Sequence, residues 1–208
     1  EPQIFCYFCL LLIEKNTYHM GEHICFRRNE RLATVNPHWR GNPVVRGKFV
    51  NRQHRFRPGM GSVLKWRLSP NPQRKEKKSV KWSPKLNYLR SLDGVVGNSL
   101  IWLGHNSFFL QLARKRIMFD PVFGDIPFVK RQSDFPANPD IFTDIDYLLI
   151  SHDHFDHLDK QSVARLVKNN PGMKLFCGLG TGELIKGWFP ELEVTEAGWY
   201  QQIEDDGL

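Results

Sequence analysis

In the last third of the chain six residues, Ile145 to Ile150 (IDYLLI), run straight into Ser151-His152-Asp153-His154-Phe155-Asp156-His157. The first block reads as a β-strand buried on both faces, since bulky apolar side chains dominate with little polar alternation. The second sets three imidazoles and the Asp156 carboxylate within six residues of that strand's C-terminal end. A strand hidden on both faces needs sheet neighbours and covering layers. Loops at its C-terminal edge are the ones free to shape a site in an α/β sheet. The junction therefore constrains the chain to a layered α/β fold with its chemistry on one edge.

Imidazole nitrogen and carboxylate oxygen form a donor set favoured by zinc, with iron and manganese as alternatives. In a tight loop, residues two apart can point the same way, so His152 and His154 can share one ion. Asp156 and His157 turn aside and can hold a second. Three of the eight histidines in the chain fall in this loop. That concentration beside a buried strand favours a metal site over a solvated loop with accidental histidines.

The surrounding sequence supplies the rest of the sheet. Ser99 to Leu103, Ser107 to Leu112 and Arg116 to Phe119 are short apolar β-formers, the last two joined by the polar turn Ala113-Arg114-Lys115. Asp159 is placed to cap a helix over Lys160 to Lys168, with Val163, Leu166 and Val167 on one face, and Asn169-Asn170-Pro171-Gly172 ends it. A strand at Lys174 to Cys177, a helix near Thr181 to Phe189 and a strand at Leu192 to Thr195 follow.

Residues 14–98 are different: poorly periodic, broken by Asn36-Pro37, Asn42-Pro43, Pro58-Gly59 and Pro70-Asn71-Pro72, and dotted with aromatics such as Trp39, Phe56, Trp66 and Trp82. They read as part of an N-terminal arm, residues 1–98, that wraps a core of residues 99–208. The run Arg74-Lys75-Glu76-Lys77-Lys78 with Lys81 reads as a solvated loop. Charge divides the same way. Residues 1–100 hold 19 Lys+Arg against 6 Asp+Glu, and residues 101–208 hold 10 against 16, so +13 and −6 give the net +7. A basic half suits anionic surfaces, phosphate groups or nucleic acid, and an acidic half rich in His and Asp suits cations.

Four cysteines (Cys6, Cys9, Cys25, Cys177) are too few for a disulfide framework in 208 residues. Cys6-x2-Cys9 with His19-x3-His23 has a zinc finger's outer spacings but too short a gap, so accidental spacing is the better reading. Ile4 to Ile13 is an apolar run too short to span a bilayer. It fits the cut end of a signal or anchor segment, a buried strand or a translated remnant, which leaves location open between cytoplasmic and membrane-associated.

The pattern HxHxDH after a hydrophobic strand resembles the signature of the metallo-β-lactamase superfamily. Trp102-Leu103-Gly104-His105-Asn106-Ser107, Phe119-Asp120-Pro121-Val122-Phe123 and Ile150-Ser151-His152 with His157-Leu158-Asp159 further resemble the branch of N-acyl-phosphatidylethanolamine-hydrolysing phospholipase D enzymes and ascorbate-phosphate lactonase-like proteins. The likeness runs from about residue 99 to 200. It implies an αβ/βα sandwich holding one or two metal ions, of which this chain carries the N-terminal half plus an arm. His152 and His154 would ligate the first ion, and Asp156 and His157 the second. Asp120 would be an outer carboxylate orienting ligands and loop, and His105 would lie near the metals with Asp156 in the catalytic set. Asp153 and Phe155 fill variable positions.

Members of the family draw another histidine, a bridging aspartate and a final histidine from further downstream. None of the 51 residues after His157 is a histidine, and His19, His23, His38 and His54 sit in the arm. The expectation is therefore a truncated chain that binds metal weakly and does not turn over by itself. The activity implied is hydrolysis of a phosphodiester or ester by a metal-held hydroxide. A phospholipase D-like reaction on a phospholipid comes first and a lactone or small ester second, with an anionic membrane surface as partner of the basic half. A nuclease or nucleic-acid-binding protein is the rival that the basic half favours, and a catalytically incomplete remnant is the third reading. The oligomeric state is open.

Overall fold

A computed structural model describes residues 23–51, 59–80, 84–126, 131 and 133–205. The apolar run at 4–13, Cys6, Cys9, His19, His54, Phe56, Lys81 and Trp82 lie outside the described residues. The chain forms two compact units, one of residues 1–26 and 42–82, the other of residues 27–41 and 83–208. Segments 27–41 and 83–98 thus cluster with residues 99–208.

Among the described residues short strands come first: β1 (Cys25–Arg27), β2 (Ala33–Thr34), β3 (Asn42–Val45) and β4 (Lys48–Phe49). In the first unit β3 and β4 form an antiparallel hairpin, with Val44 opposite Phe49 and Val45 opposite Lys48. Two helices follow, α1 (Met60–Leu68) and α2 (Arg74–Ser79), neither with a buried residue. The run at 74–78, expected to be a loop, is helical. Arg, Lys and Glu are good helix formers, and Pro72 lies just before the first turn, where it costs no hydrogen bond. With no apolar stripe, the segment gives no periodic signal.

The second unit is built on one mixed sheet of six strands in the order β10-β9-β8-β7-β6-β5. β5 (Ser99–Gly104), β6 (Ser107–Leu112) and β7 (Lys115–Phe119) form an antiparallel meander. The turn after β6 places Ala113 and Arg114 at positive φ. β7, β8 (Tyr147–Ile150), β9 (Lys174–Gly178) and β10 (Glu193–Ala197) run parallel. α3 (Lys160–Asn169) and α4 (Thr181–Trp188) make the crossovers between the last three. Asp159 caps α3, its carboxylate accepting from the Ser162 amide at 2.9 Å.

Register decides the core. Ile101, Phe109, Met118, Leu148, Leu175 and Val194 stand opposite one another across the sheet. They form one face of the core with Val163 and Leu166 of α3 and Ile185 of α4. Buried Asn170 closes the helical layer: its Oδ1 accepts from the Ile145 amide at 2.9 Å, and its Nδ2 donates to the Phe142 and Leu166 carbonyls at 2.9 Å each. The opposite face carries the row Trp102, Phe108, Phe119, Leu149, Phe176, with Leu100 and Trp102 exposed.

β11 (Gln201–Gln202) returns to pair antiparallel with β2. The Gln201 side chain reinforces this, Oε1 accepting from the Asn29 amide at 2.8 Å and Nε2 donating to the Asn29 carbonyl at 2.6 Å. Trp39 meets Tyr200 edge to face at 5.9 Å and lies over Gly198, where a β-carbon would collide with the indole. Among the described residues both cysteines, exposed Cys25 and buried Cys177, are free, and no helix is long and apolar enough to cross a membrane.

Candidate metal centre

Parallel strands put their C-terminal ends on one edge, and the histidine loop leaves that edge from β8. Asp120 ends β7 beside it. Its backbone sits at φ +39°, a left-handed conformation that Asp tolerates better than most residues, and its side chain is 10% exposed. Oδ1 accepts from the Ser151 amide at 2.7 Å, and Oδ2 accepts from Ser151 Oγ at 2.6 Å and from His157 Nδ1 at 2.8 Å. Ser151 Oγ also lies 2.9 Å from His152 Nδ1.

These contacts set tautomers. A carboxylate only accepts, so His157 must carry its proton on Nδ1, which leaves the Nε2 lone pair outward. Ser151 spends its own proton on Asp120 and is free to accept from His152 Nδ1–H. Both imidazoles then present Nε2, the atom a metal would take. One carboxylate thus prepares two histidines.

The residues Ser107 and Ser162 hold the Asp120 turn from either side. Ser107 Oγ donates to the Asp120 carbonyl at 2.7 Å and accepts from the Val122 amide at 3.0 Å. Ser162 Oγ accepts from the Phe123 amide at 2.8 Å and donates to Asp159 Oδ2 at 2.6 Å.

His105 reaches the loop from the β5–β6 turn, at φ +49° next to Gly104 at φ +102°. Its Nε2 lies 3.1 Å from Asp156 Oδ2, and His157 Nε2 lies 3.7 Å from the same oxygen. Donor atoms of His105, Asp156 and His157 fall within 4.8 Å of one another. Asn106 Nδ2 of the side chain lies 3.2 Å from both His105 Nε2 and His157 Nε2. The His152 ring lies 4.5 Å from that of His154 and 4.0 Å from that of His157. So all five candidates at 105, 152, 154, 156 and 157 gather in one cluster, with Asp120 beneath it. Of the arm's histidines, His23 and His38 are exposed.

Electrostatics favour the ligating forms of His152 and Asp156. Burial first, then the neighbouring His157 and His154, push the His152 pKa down, so the ring stays neutral. Burial opposes ionisation of Asp156, but hydrogen bonding to His105 and a backbone amide, with the His157 and His105 charges, outweighs it and holds the carboxyl below its usual range. A neutral His152, an ionised Asp156 and pre-set tautomers suit a divalent cation with nitrogen and oxygen ligands. The residues fit such an ion.

Sequence reasoning gave no role to Asn106 or Ser151, although both stand in the blocks that carry the family likeness. Their polarity beside a predicted strand end was the available signal.

Most of the sheet, both crossover helices and the histidine loop lie in the stretch of the chain that is similar to known proteins. Residues 115–207 match the family model described as Beta-lactamase superfamily domain. Over 182 residues the chain is 28% identical to an N-acyl-phosphatidylethanolamine-hydrolyzing phospholipase D of Caenorhabditis elegans, covering 78% of this chain and 51% of that protein. A metal-dependent hydrolase of Sulfolobus acidocaldarius is 36% identical over 78 residues, covering 37% of this chain and 31% of the relative. The chain thus spans about half, or less, of the length of these relatives. Among solved structures, an isothiocyanate hydrolase from Delia radicum gut bacteria superposes with TM-score 0.39 at 17% identity, covering 51% of this chain and 41% of that one.

Proposed function

We propose that the protein to which this chain belongs is a metal-dependent hydrolase acting on a phosphodiester or ester. The observation that carries the reading is Asp120 fixing His157 and, through Ser151, His152 with their Nε2 atoms outward, beside the His105–Asp156–His157 donor cluster. His152 and His154 would hold one ion, and Asp156 and His157 a second, with His105 close to Asp156. Zinc suits this donor set, and iron or manganese are the alternatives. When bound, the ions supply Lewis acidity and a nucleophile drawn from water. The chain's own part is to orient the donors, to keep Asp156 ionised, and to place Asn106 Nδ2–H where it can donate beside the reacting group.

A phospholipase D-like reaction on a phospholipid is the finer reading. The worm relative's name and the resemblance of residues 99–200 support it, and the basic residues 1–98, as an arm, would meet an anionic membrane surface. A lactone or small-ester hydrolase is the second reading, supported by the same site. Zinc content of the His152→Ala/His154→Ala double variant should fall well below that of the parent by elemental analysis, and unchanged content ends the proposal. With a longer form of the protein, phosphatidic acid released from an N-acylated phospholipid supports the first substrate class. Turnover confined to lactones selects the second.

A further inference from the structure

Along the β10 edge of the sheet lies a cleft of about 460 Å³, walled by α4 and β10 on one side and by the turn after β1 on the other. β10 stands two strands away from β8, which carries the histidine loop, a lateral separation of about 10 Å. Four cationic side chains line it: Arg27, Arg28, Arg31 and Lys186. Two acids share it, Glu183 and Glu196, so the lining carries four positive charges against two negative.

Local pairing leaves Arg31 and Lys186 to face a ligand. Glu196 turns to the start of α4, its Oε1 accepting from the Gly180 and Gly182 amides at 2.8 and 2.6 Å. A β-carbon at Gly182 would come within 2.8 Å of Glu196 Cγ, so glycine keeps that approach open. The positive end of α4 is therefore already satisfied from within the fold. Arg28 pairs with Glu30 at 2.8 Å. Glu183 meets Arg27 only loosely, at 3.9 Å, with its side chain 82% exposed.

The turn that bears the arginines is held rigidly. Asn29 Nδ2 donates to the Glu196 carbonyl at 2.8 Å, Gln201 grips the Asn29 backbone from both sides, and the Leu32 amide closes on the Asn29 carbonyl at 3.1 Å. A fixed scaffold for long cationic side chains lowers the ordering cost of binding. Leu32, Leu179 and Val194 give the cleft an apolar side. Guanidinium groups match the oxygen geometry of phosphate, and a phosphomonoester dianion balances the charges of Arg31 and Lys186.

We propose that this cleft is a second ligand site, separate from the histidine cluster, that binds a small organic phosphomonoester by its dianionic head, with a short apolar group against Leu32, Leu179 and Val194.

The test is calorimetric titration of EDTA-treated protein with n-butyl phosphate, and with inorganic phosphate as the second probe. The expected result is saturable binding of butyl phosphate, several-fold weaker binding of inorganic phosphate, and a loss of tenfold or more in affinity in Arg31→Ala and in Lys186→Ala. Glu183→Ala should tighten binding, a gain that a misfolded protein cannot mimic. His152→Ala/His154→Ala should leave the affinity unchanged, which separates this site from the metal centre. Absence of saturable binding, or equal affinity of the parent, Arg31→Ala and Lys186→Ala proteins, overturns the site. Equal affinity for the two phosphates overturns the organic ligand.

Discussion

Replacing Asp120 by Asn removes a charge and changes almost no volume, so it tests what the carboxylate does. In the parent, Oδ2 alone takes two hydrogen bonds, from Ser151 Oγ and His157 Nδ1. If the introduced amide keeps its oxygen on the Ser151 amide, it must point its NH2 at His157 Nδ1. Two donors cannot face each other, so His157 would shift its proton to Nε2 and lose the lone pair meant for a metal. Bonds to a charged acceptor are worth about 1.5–3 kcal/mol each. The new amide can donate to Ser151 Oγ and recover part of one, so a loss of about 2–3 kcal/mol in metal-free stability follows. Loss of a supporting carboxylate lowers metal affinity about 10–100-fold, or about 1.4–2.7 kcal/mol. Competition for zinc against a chromophoric chelator reads the affinity, and thermal unfolding in EDTA reads the stability. Zinc affinity within threefold of the parent would refute the tautomer argument, even if the melting temperature fell.

Three further outcomes follow from the same geometry. His105→Gly relieves a left-handed backbone worth about 1–2 kcal/mol against a glycine entropy cost of about 0.5–1 kcal/mol and the loss of the hydrogen bond to Asp156; its metal-free melting temperature should change little while zinc affinity drops several-fold, and an unchanged zinc affinity would contradict this. Because the folded His152 value lies below the unfolded one near 6.5, its contribution to metal-free stability is whole above that pH and is lost as pH falls through the folded value. The melting temperature should therefore drop on acidification below about pH 6.5, less steeply in His152→Asn, and parallel profiles would remove His152 as the cause. Burial first, then Glu196, push the Cys177 thiol up to about 12, so at pH 8 iodoacetamide should label Cys25 and leave Cys177 unmodified until denaturant is added, as peptide mass spectrometry will show.

What the sequence discloses depends on where the signal is local. β6 was expected at Ser107 to Leu112 and lies there, because apolar and turn residues within a few positions settle it. The Asp159 cap and α3 were legible for the same reason. α1 and α2 were not, since their helicity rests on backbone propensity without a buried face. The pairing of β2 with β11 joins Thr34 to Gln201, and nothing at either position announces the other. At the site, the donor loop could be read from its composition, and His105 and Asp120 from a family likeness. Ser151 and Asn106 needed three dimensions, because their importance lies in which ring nitrogen they face.

The serine clamp around Asp120 has a consequence for how slowly this part of the chain opens. The amides of Asp120, Val122, Phe123 and Ser151 lie outside the regular ladder, yet each ends on an internal acceptor: Leu149 O, Ser107 Oγ, Ser162 Oγ and Asp120 Oδ1. Freeing any of them requires β6, β7 or the start of α3 to separate. In deuterated water, a loop secured in this way exchanges on the timescale of the core strands rather than of a surface turn. The frame of the metal centre would then keep its protons for as long as the sheet itself remains closed.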